Sequence, residues 1–378
     1  MFFVRSRFLF LFLFLAFACN RTASNRNEIR IGFYGPLTGG TASYGQQVKR
    51  GIELALEEAK SNPDYRSHQY ALLAEDDRGN PEEAQSAAIK LITKQKVVAI
   101  LGEVTSSGSL AGAPVCQRYG IPMIAPTATN LKVTQAGDCI FRVCWIDPFQ
   151  GAIMSKFARN TLHANRVAIL YDITSDYSTG LYEVFEKTFT EAGGQITGKF
   201  SYNAGDSDFS AQLTSTKSSS PDAIYLPGYY TDVGLILRQA RNPGINLPIL
   251  GDDGWDSPLL KGIAGDALNG NYFCTHFFPG DPSPEVATFV TKFRKKYAED
   301  PPGGSALAYD AANLLLQAIH RSRRITPQDI RDAIANIGDF RGVTGNIRFD
   351  AQRNAVKPAV VLRFQNGALQ FVERILPG

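Results

Sequence analysis

The chain has little of what catalytic and metal sites are made from. Its four histidines, His68, His163, His276 and His320, are scattered along 378 residues, so no zinc spacing or histidine relay can be read from them. No G-x-S-x-G, no Gly-Lys-Ser/Thr phosphate loop and no G-x-G-x-x-G occurs. Hydrolytic and nucleotide chemistry therefore have no visible machinery. The five cysteines, at positions 19, 116, 139, 144 and 274, lack metal spacing, and a chain of this length needs no disulfide staples. A Cys144–Cys274 bridge and burial as free thiols both stay open. Charge of one sign is scarce too: a net charge of +3 leaves no electrostatic footprint for nucleic acid. The acidic run Glu75-Asp76-Asp77 reads as a solvated loop before a capped helix rather than a cation site. Beyond the amino terminus no stretch is long and apolar enough to span a bilayer. The expectation is a binding protein, not an enzyme, without cofactor, metal or nucleic-acid partner.

What is present begins with a leader. Arg5 and Arg7 precede FLFLFLFLAFA (8–18), an apolar core too short to cross a membrane and followed by small residues, as in a secretory signal. Ala18-Cys19 reads as the end of a lipobox, with lipid on the Cys19 sulfur as the only membrane attachment, although Ala16-Phe17-Ala18 also reads as an A-x-A cleavage site. Residues 19–27 are polar and aperiodic, a tether.

The most informative stretch is 97–129, VVAILGEVTSSGSLAGAPVCQRYGIPMIAPTAT. An apolar run (97–101) reads as a strand buried on both faces, and a helical pattern then runs from Ser106 to about Tyr119. A second strand, 123–125, leads into Pro126-Thr127-Ala128-Thr129. Hydroxyl residues thus sit at the carboxyl ends of two strands, where open parallel sheets bind ligands. A helix starting at Ser106 and Ser107 aims free N–H groups and a positive dipole end at an anion. Thr127 and Thr129 add carbonyls and hydroxyls that accept from an ammonium. Together these four residues suit a zwitterion.

The same alternation runs elsewhere. Ile29, Ile31 and Phe33 alternate as a strand, and Asn80-Pro81-Glu82-Glu83 is a helix start with an N-cap and Pro at N1. A second α/β series begins near Arg166 and continues through 223–226 and 247–250. Near the end, 359–375 reads as a hairpin turning at Asn366-Gly367.

Five segments, GEVTSSG (102–108), IPMIAPTATN (121–130), YGQQVKRGIELALEE (44–58), FRVCWIDPFQG (141–151) and PGYYTDVGLILRQAR (227–241), resemble the leucine/isoleucine/valine-binding proteins. These are type I periplasmic substrate-binding proteins of branched-chain amino-acid ABC importers. The resemblance implies an α/β fold of two Rossmann-like lobes joined by a three-segment hinge. Lobe one would comprise 28–146 plus 277–353, and lobe two 147–276 plus 354–378, with crossings near 141–147, 271–277 and 348–355. It implies a monomer that hands an amino acid, most readily Leu, Ile or Val, to a membrane permease driven by a separate ATPase. Asp253 matches the family's acidic position for the ammonium, while Asp252 reads as a structural neighbour. Tyr44, Tyr177 and Tyr229 match aromatic wall positions, and Trp255 stands beside them as a further candidate. At Gly303-Gly304-Ser305, where some relatives place a large aromatic, this chain is small, so a wider pocket and an aromatic amino acid stay open. An amide, urea or aromatic-acid ligand, and a sensory role beside a receptor, are the alternatives.

Overall fold

The computed structural model describes residues 28–376; the expected leader, the tether and Cys19 lie outside the described residues. The first five strands are β1 (Glu28–Gly35), β2 (Gln69–Asp76), β3 (Ala99–Gly102), β4 (Met123–Ala125) and β5 (Ile140–Arg142). They form one parallel sheet in the order β2-β1-β3-β4-β5. Ile31, Phe33, Leu101 and Phe141 are buried on one side of it, and Tyr34, Ile100 and Met123 on the other. Helices therefore cover both faces, which is why these strands read as apolar runs rather than as alternation. The helix Pro81–Thr93 starts as its sequence dictates, the Asn80 side chain accepting from the Glu83 N–H at 2.9 Å. Asp77, expected in a solvated loop, is instead fully buried beside it.

A second sheet holds β6 (Arg166–Asp172), β7 (Gln195–Tyr202), β8 (Ala223–Tyr225), β9 (Ile249–Gly251) and β10 (Tyr272–Thr275). A small sheet follows, formed by β11 (Phe340–Gly342), β12 (Gly345–Phe349) and β13 (Ala355–Val356). The chain then returns to the second sheet as β14 (Ala359–Gln365) and β15 (Ala368–Ile375), giving the order β15-β14-β10-β9-β8-β6-β7. Asn366 and Gly367 turn this last hairpin with φ of 52° and 72°, the two left-handed residues that a two-residue type I′ turn requires.

The chain passes between the two large sheets after β5, after β10 and after β13. The last passage is more elaborate than a bare crossing, because the small sheet is folded into it. Its strands are too short, and too interrupted by Gly342 and Gly345, for periodicity to reveal them. The helices Ala42–Ala59 and Gly303–Arg321 pack tightly on the first sheet. At Gly51 they meet backbone to side: a Cβ there would lie 2.2 Å from the Ser305 carbonyl oxygen. The four cysteines among the described residues are buried free thiols, which settles the Cys144–Cys274 alternative against a bridge.

Candidate functional site

The carboxyl ends of β3 and β4 face those of β8, β9 and β10 across one cleft. It encloses ≈ 500 Å³ of non-atom space, its open mouth included. From the first lobe, the helix Ser106–Tyr119 points its amino end into it. Thr105, not Ser106, is the N-cap, its hydroxyl accepting from the Gly108 N–H at 3.3 Å. The Ser106 hydroxyl accepts from the Asn130 N–H at 3.2 Å, which ties the two ligand-facing loops together and leaves its own proton to donate. The Thr127 hydroxyl donates to the Val104 carbonyl at 2.6 Å. Beneath them Glu103 is wholly buried, accepting from the N–H and the hydroxyl of Thr105, both at 2.7 Å. Burial pushes its carboxyl well above the ordinary range, with the nearby Asp77 charge adding to the shift. Burial thus favours the neutral acid, which lessens the negative charge under an anion held at the helix end.

From the second lobe comes Asp253, at the end of β9. Its Oδ1 accepts from the Tyr177 hydroxyl at 2.8 Å, and that oxygen in turn accepts from the Gly254 N–H at 2.8 Å. Its Oδ2 lies 3.1 Å from Nε2 of His276. Burial drives the His276 pKa well down, so the ring is neutral and its N–H donates to the carboxylate, a hydrogen bond rather than an ion pair. The ring is held in place by stacking on Trp145 at 3.6 Å. Burial also pushes Asp253 up to about 7, against the pull of the Tyr177 and Gln150 hydrogen bonds. Aromatic faces close the rest. Tyr177 and Tyr229 stack at 5.0 Å, and Tyr44 stands edge-on to Tyr229 at 5.5 Å.

The cleft thus gathers Tyr44, Ser106, Thr127, Tyr177, Tyr229 and Asp253 from the sequence-based candidates. Three others fall elsewhere. Trp255 turns away, its indole N–H donating to the Leu226 carbonyl at 3.1 Å and its ring stacking on Phe273, in space that Gly251 leaves open, where a Cβ would lie 2.0 Å from the ring. Thr129 is fully buried behind the lining, its carbonyl taken by the Asp147 N–H at 3.0 Å and its hydroxyl without a well-formed hydrogen bond. Ser107 points outward across the mouth. It donates to Asp176 at 2.8 Å and accepts from the Asp176 N–H at 3.3 Å, while the Asn130 amide donates to the Asp176 carbonyl at 2.9 Å.

These bonds join the two lobes, as do the Tyr44 hydroxyl on the Gly254 carbonyl and the Thr231 hydroxyl on the Gly40 carbonyl. The conformation is closed. Partly exposed hydrogen bonds contribute about 0.5–1.5 kcal/mol each, so Ser107→Ala, which removes a closed-state contact and no ligand contact, should weaken ligand binding about two- to twelvefold. Titration calorimetry checks this, and an unchanged Kd would make the contact incidental to closure.

Sequence reading missed His276, Gln47, Thr105, Asp256 and Thr275, all of which line the cleft. No local signal marked His276: it emerges beside Asp253 only because β10 lies parallel to β9. Among the described residues no group of three or more His, Cys, Asp or Glu could hold a metal ion, and no helix is long and apolar enough to cross a membrane.

Comparison with known proteins agrees with this fold. A curated relative, the Leu/Ile/Val-binding protein homolog 2 of Brucella abortus, is 31% identical over 344 residues, 90% of this chain and 91% of its own. The leucine-binding protein LivK of Thermotoga maritima superposes with a TM-score of 0.88 at 41% identity, covering 92% of this chain and 99% of its own. LivJ of Streptococcus pneumoniae, solved with isoleucine, gives a TM-score of 0.86 at 34% identity over 91% of this chain and 99% of its own. The model of an extracytoplasmic family of ligand carriers rather than enzymes matches residues 28–368, and on that match the chain belongs to the periplasmic binding protein family.

Proposed function

We propose that the chain is the extracytoplasmic substrate-binding protein of an ABC importer, capturing a branched-chain amino acid between its lobes and delivering it to a membrane permease. One observation carries the reading. A helix amino end with the Ser106 hydroxyl and the Asp253 carboxylate share one cleft, and among the described residues no lysine or arginine lines it. An α-carboxylate matches the first and an α-ammonium the second. Tyr44, Tyr177 and Tyr229, with Val104 and Leu307, surround the aliphatic part. An aromatic acid or urea lacks the ammonium and would leave Asp253 buried without a countercharge.

Binding follows from hinge closure. The ligand shifts the open–closed equilibrium by as much as it prefers the closed form, in which Asp253 is brought to the anion site. The relatives support the ligand class: one is named for Leu, Ile and Val, and another was solved with isoleucine. The protein is exported to the periplasm or the outer face of the cell membrane, with Cys19, following the leader, as the proposed lipid anchor, and the working form is a monomer.

A thermal-shift screen of the leaderless protein, unfolded and refolded to strip carried-over ligand, tests the reading against all amino acids, amides, urea and aromatic acids. Leu, Ile or Val should raise the melting temperature, because each stabilises the folded state by RT ln(1 + [L]/Kd), about 2.7 kcal/mol at a hundredfold excess over Kd. Silence from every amino acid, with a shift from an amide or aromatic acid, would overturn it.

A further inference from the structure

One acidic group in the cleft is left unused by the zwitterion. Asp256 follows the 3₁₀ turn Asp253–Trp255 and lines the same space as Asp253, together with Gln47, Gly303 and Gly304. Its Oδ2 accepts from the Thr275 hydroxyl at 2.7 Å and the Gly303 N–H at 3.1 Å; among the described residues no hydrogen bond engages Oδ1. Gln47 is similar. Its Nε2 donates to the Ser43 hydroxyl at 3.1 Å and the Asp256 carbonyl at 3.3 Å, and its Oε1 has no donor.

Two glycines make room for these acceptors. A Cβ on Gly303 would stand 2.4 Å from Asp256 Oδ2, and one on Gly304 2.7 Å from Gln47 Oε1. A wall shaped for hydrocarbon alone needs neither the acceptors nor the glycines, because an acceptor covered by a methyl group forfeits its hydrogen bond to water.

We propose that Asp256 and Gln47 form a second polar subsite that takes a hydrogen-bond donor on the ligand's side chain, admitting amide-bearing amino acids such as asparagine and giving the hydroxyl of threonine a partner that a plain aliphatic wall would not supply. The inference rests on the amino-acid reading of the cleft. The helix Gly303–Arg321 helps hold Asp256 ionised by presenting its amino end to the carboxylate. The carboxylate is thereby fixed before the ligand arrives.

Isosteric pairs test this without changing ligand size: valine against threonine and leucine against asparagine, by titration calorimetry on the leaderless protein at pH 7.5. A purely apolar pocket favours the hydrocarbon member by about 100-fold. The subsite should bring at least one pair within about tenfold. In Asp256→Ala, and separately in Gln47→Leu should the first variant fold poorly, the polar member should weaken about tenfold more than its isostere. A hundredfold preference for valine and for leucine in the unmodified protein would overturn the subsite. Equal weakening of both members in the variants would do the same, leaving Asp256 as a clasp on the Gly303 helix. Failure of all four ligands would strike the amino-acid reading itself, and the subsite with it.

Discussion

Asp253→Asn should weaken binding of the preferred amino acid by about 30-fold or more, whereas Asp252→Asn should change it by less than about threefold. The two residues are neighbours with opposite surroundings. Asp253 lines the cleft with its Oδ1 fixed by Tyr177 and its Oδ2 beside His276, so an ammonium ligand completes an ion pair of low exposure. Removing one partner of a buried, hydrogen-bonded charge pair costs about 2–5 kcal/mol, which sets the lower bound at about 30-fold. Asp252 has no exposure at all. The Cys274 thiol donates to its Oδ1 at 3.6 Å, and burial raises its pKa well above the carboxylate range. Burial favours its neutral form, and asparagine copies the shape and lack of charge of that form. Asparagine is the informative replacement at both positions, because alanine at 252 would also open a cavity under the site. Calorimetric Kd values for the two variants, with melting temperatures to certify folding, decide the matter. Equal losses would remove Asp253 from its assigned role.

Much of this was legible in the chain because the physics was local. A capped helix following an apolar strand announces where its free N–H groups point, and so Ser106 and Thr127 were found without coordinates. Asn80-Pro81 and Asn366-Gly367 marked a helix start and a turn for the same reason. What escaped depended on choices made across the chain. Nothing local says that Ser107 turns outward to Asp176 while Ser106 turns inward, because two adjacent hydroxyls at a helix start face different ways by 100° of rotation. Nor does it say that Trp255 packs on Phe273 rather than on the ligand. His276 and Asp256 were missed because each becomes part of the cleft only when β10 pairs with β9 and the Gly303 helix lands against the 3₁₀ turn. These are contacts between segments far apart in sequence, and periodicity carries no information about them.

Ligand affinity should fall steeply with acid, by about 50-fold from pH 7 to pH 5, with the slope approaching about tenfold per pH unit at the acid end. The cause is the placement of Asp253, which burial pushes up to about 7. An ammonium ion binds the carboxylate, so below pH 7 the ligand must first displace a proton, and calorimetry in buffers of different ionisation enthalpy should register close to one proton released per ligand at pH 6. Asp147, also pushed up to about 7 by burial, is bridged to Asp253 through Gln150 and sharpens the dependence if the ligand charge draws off its proton as well. Asp256, pushed up to about 6, adds a weaker slope lower in the range. Burial favours the neutral forms of Asp252 and His276 alike. The stability of the unliganded protein responds with the opposite sign. A carboxyl whose folded pKa lies above its unfolded value of about 4 holds its proton more tightly when folded, so its contribution is complete below pH 4 and is lost as pH rises through 7. Asp253→Asn should remove that part of the decline, making the variant gain stability relative to the unmodified protein between pH 5 and 8, even as it loses ligand. This crossing of two pH dependences separates a buried carboxyl waiting for a cation from one already paired. A Kd constant from pH 5 to 8 would mean that Asp253 is ionised throughout, and the ammonium would then be joining a charge the protein had already stabilised by other means.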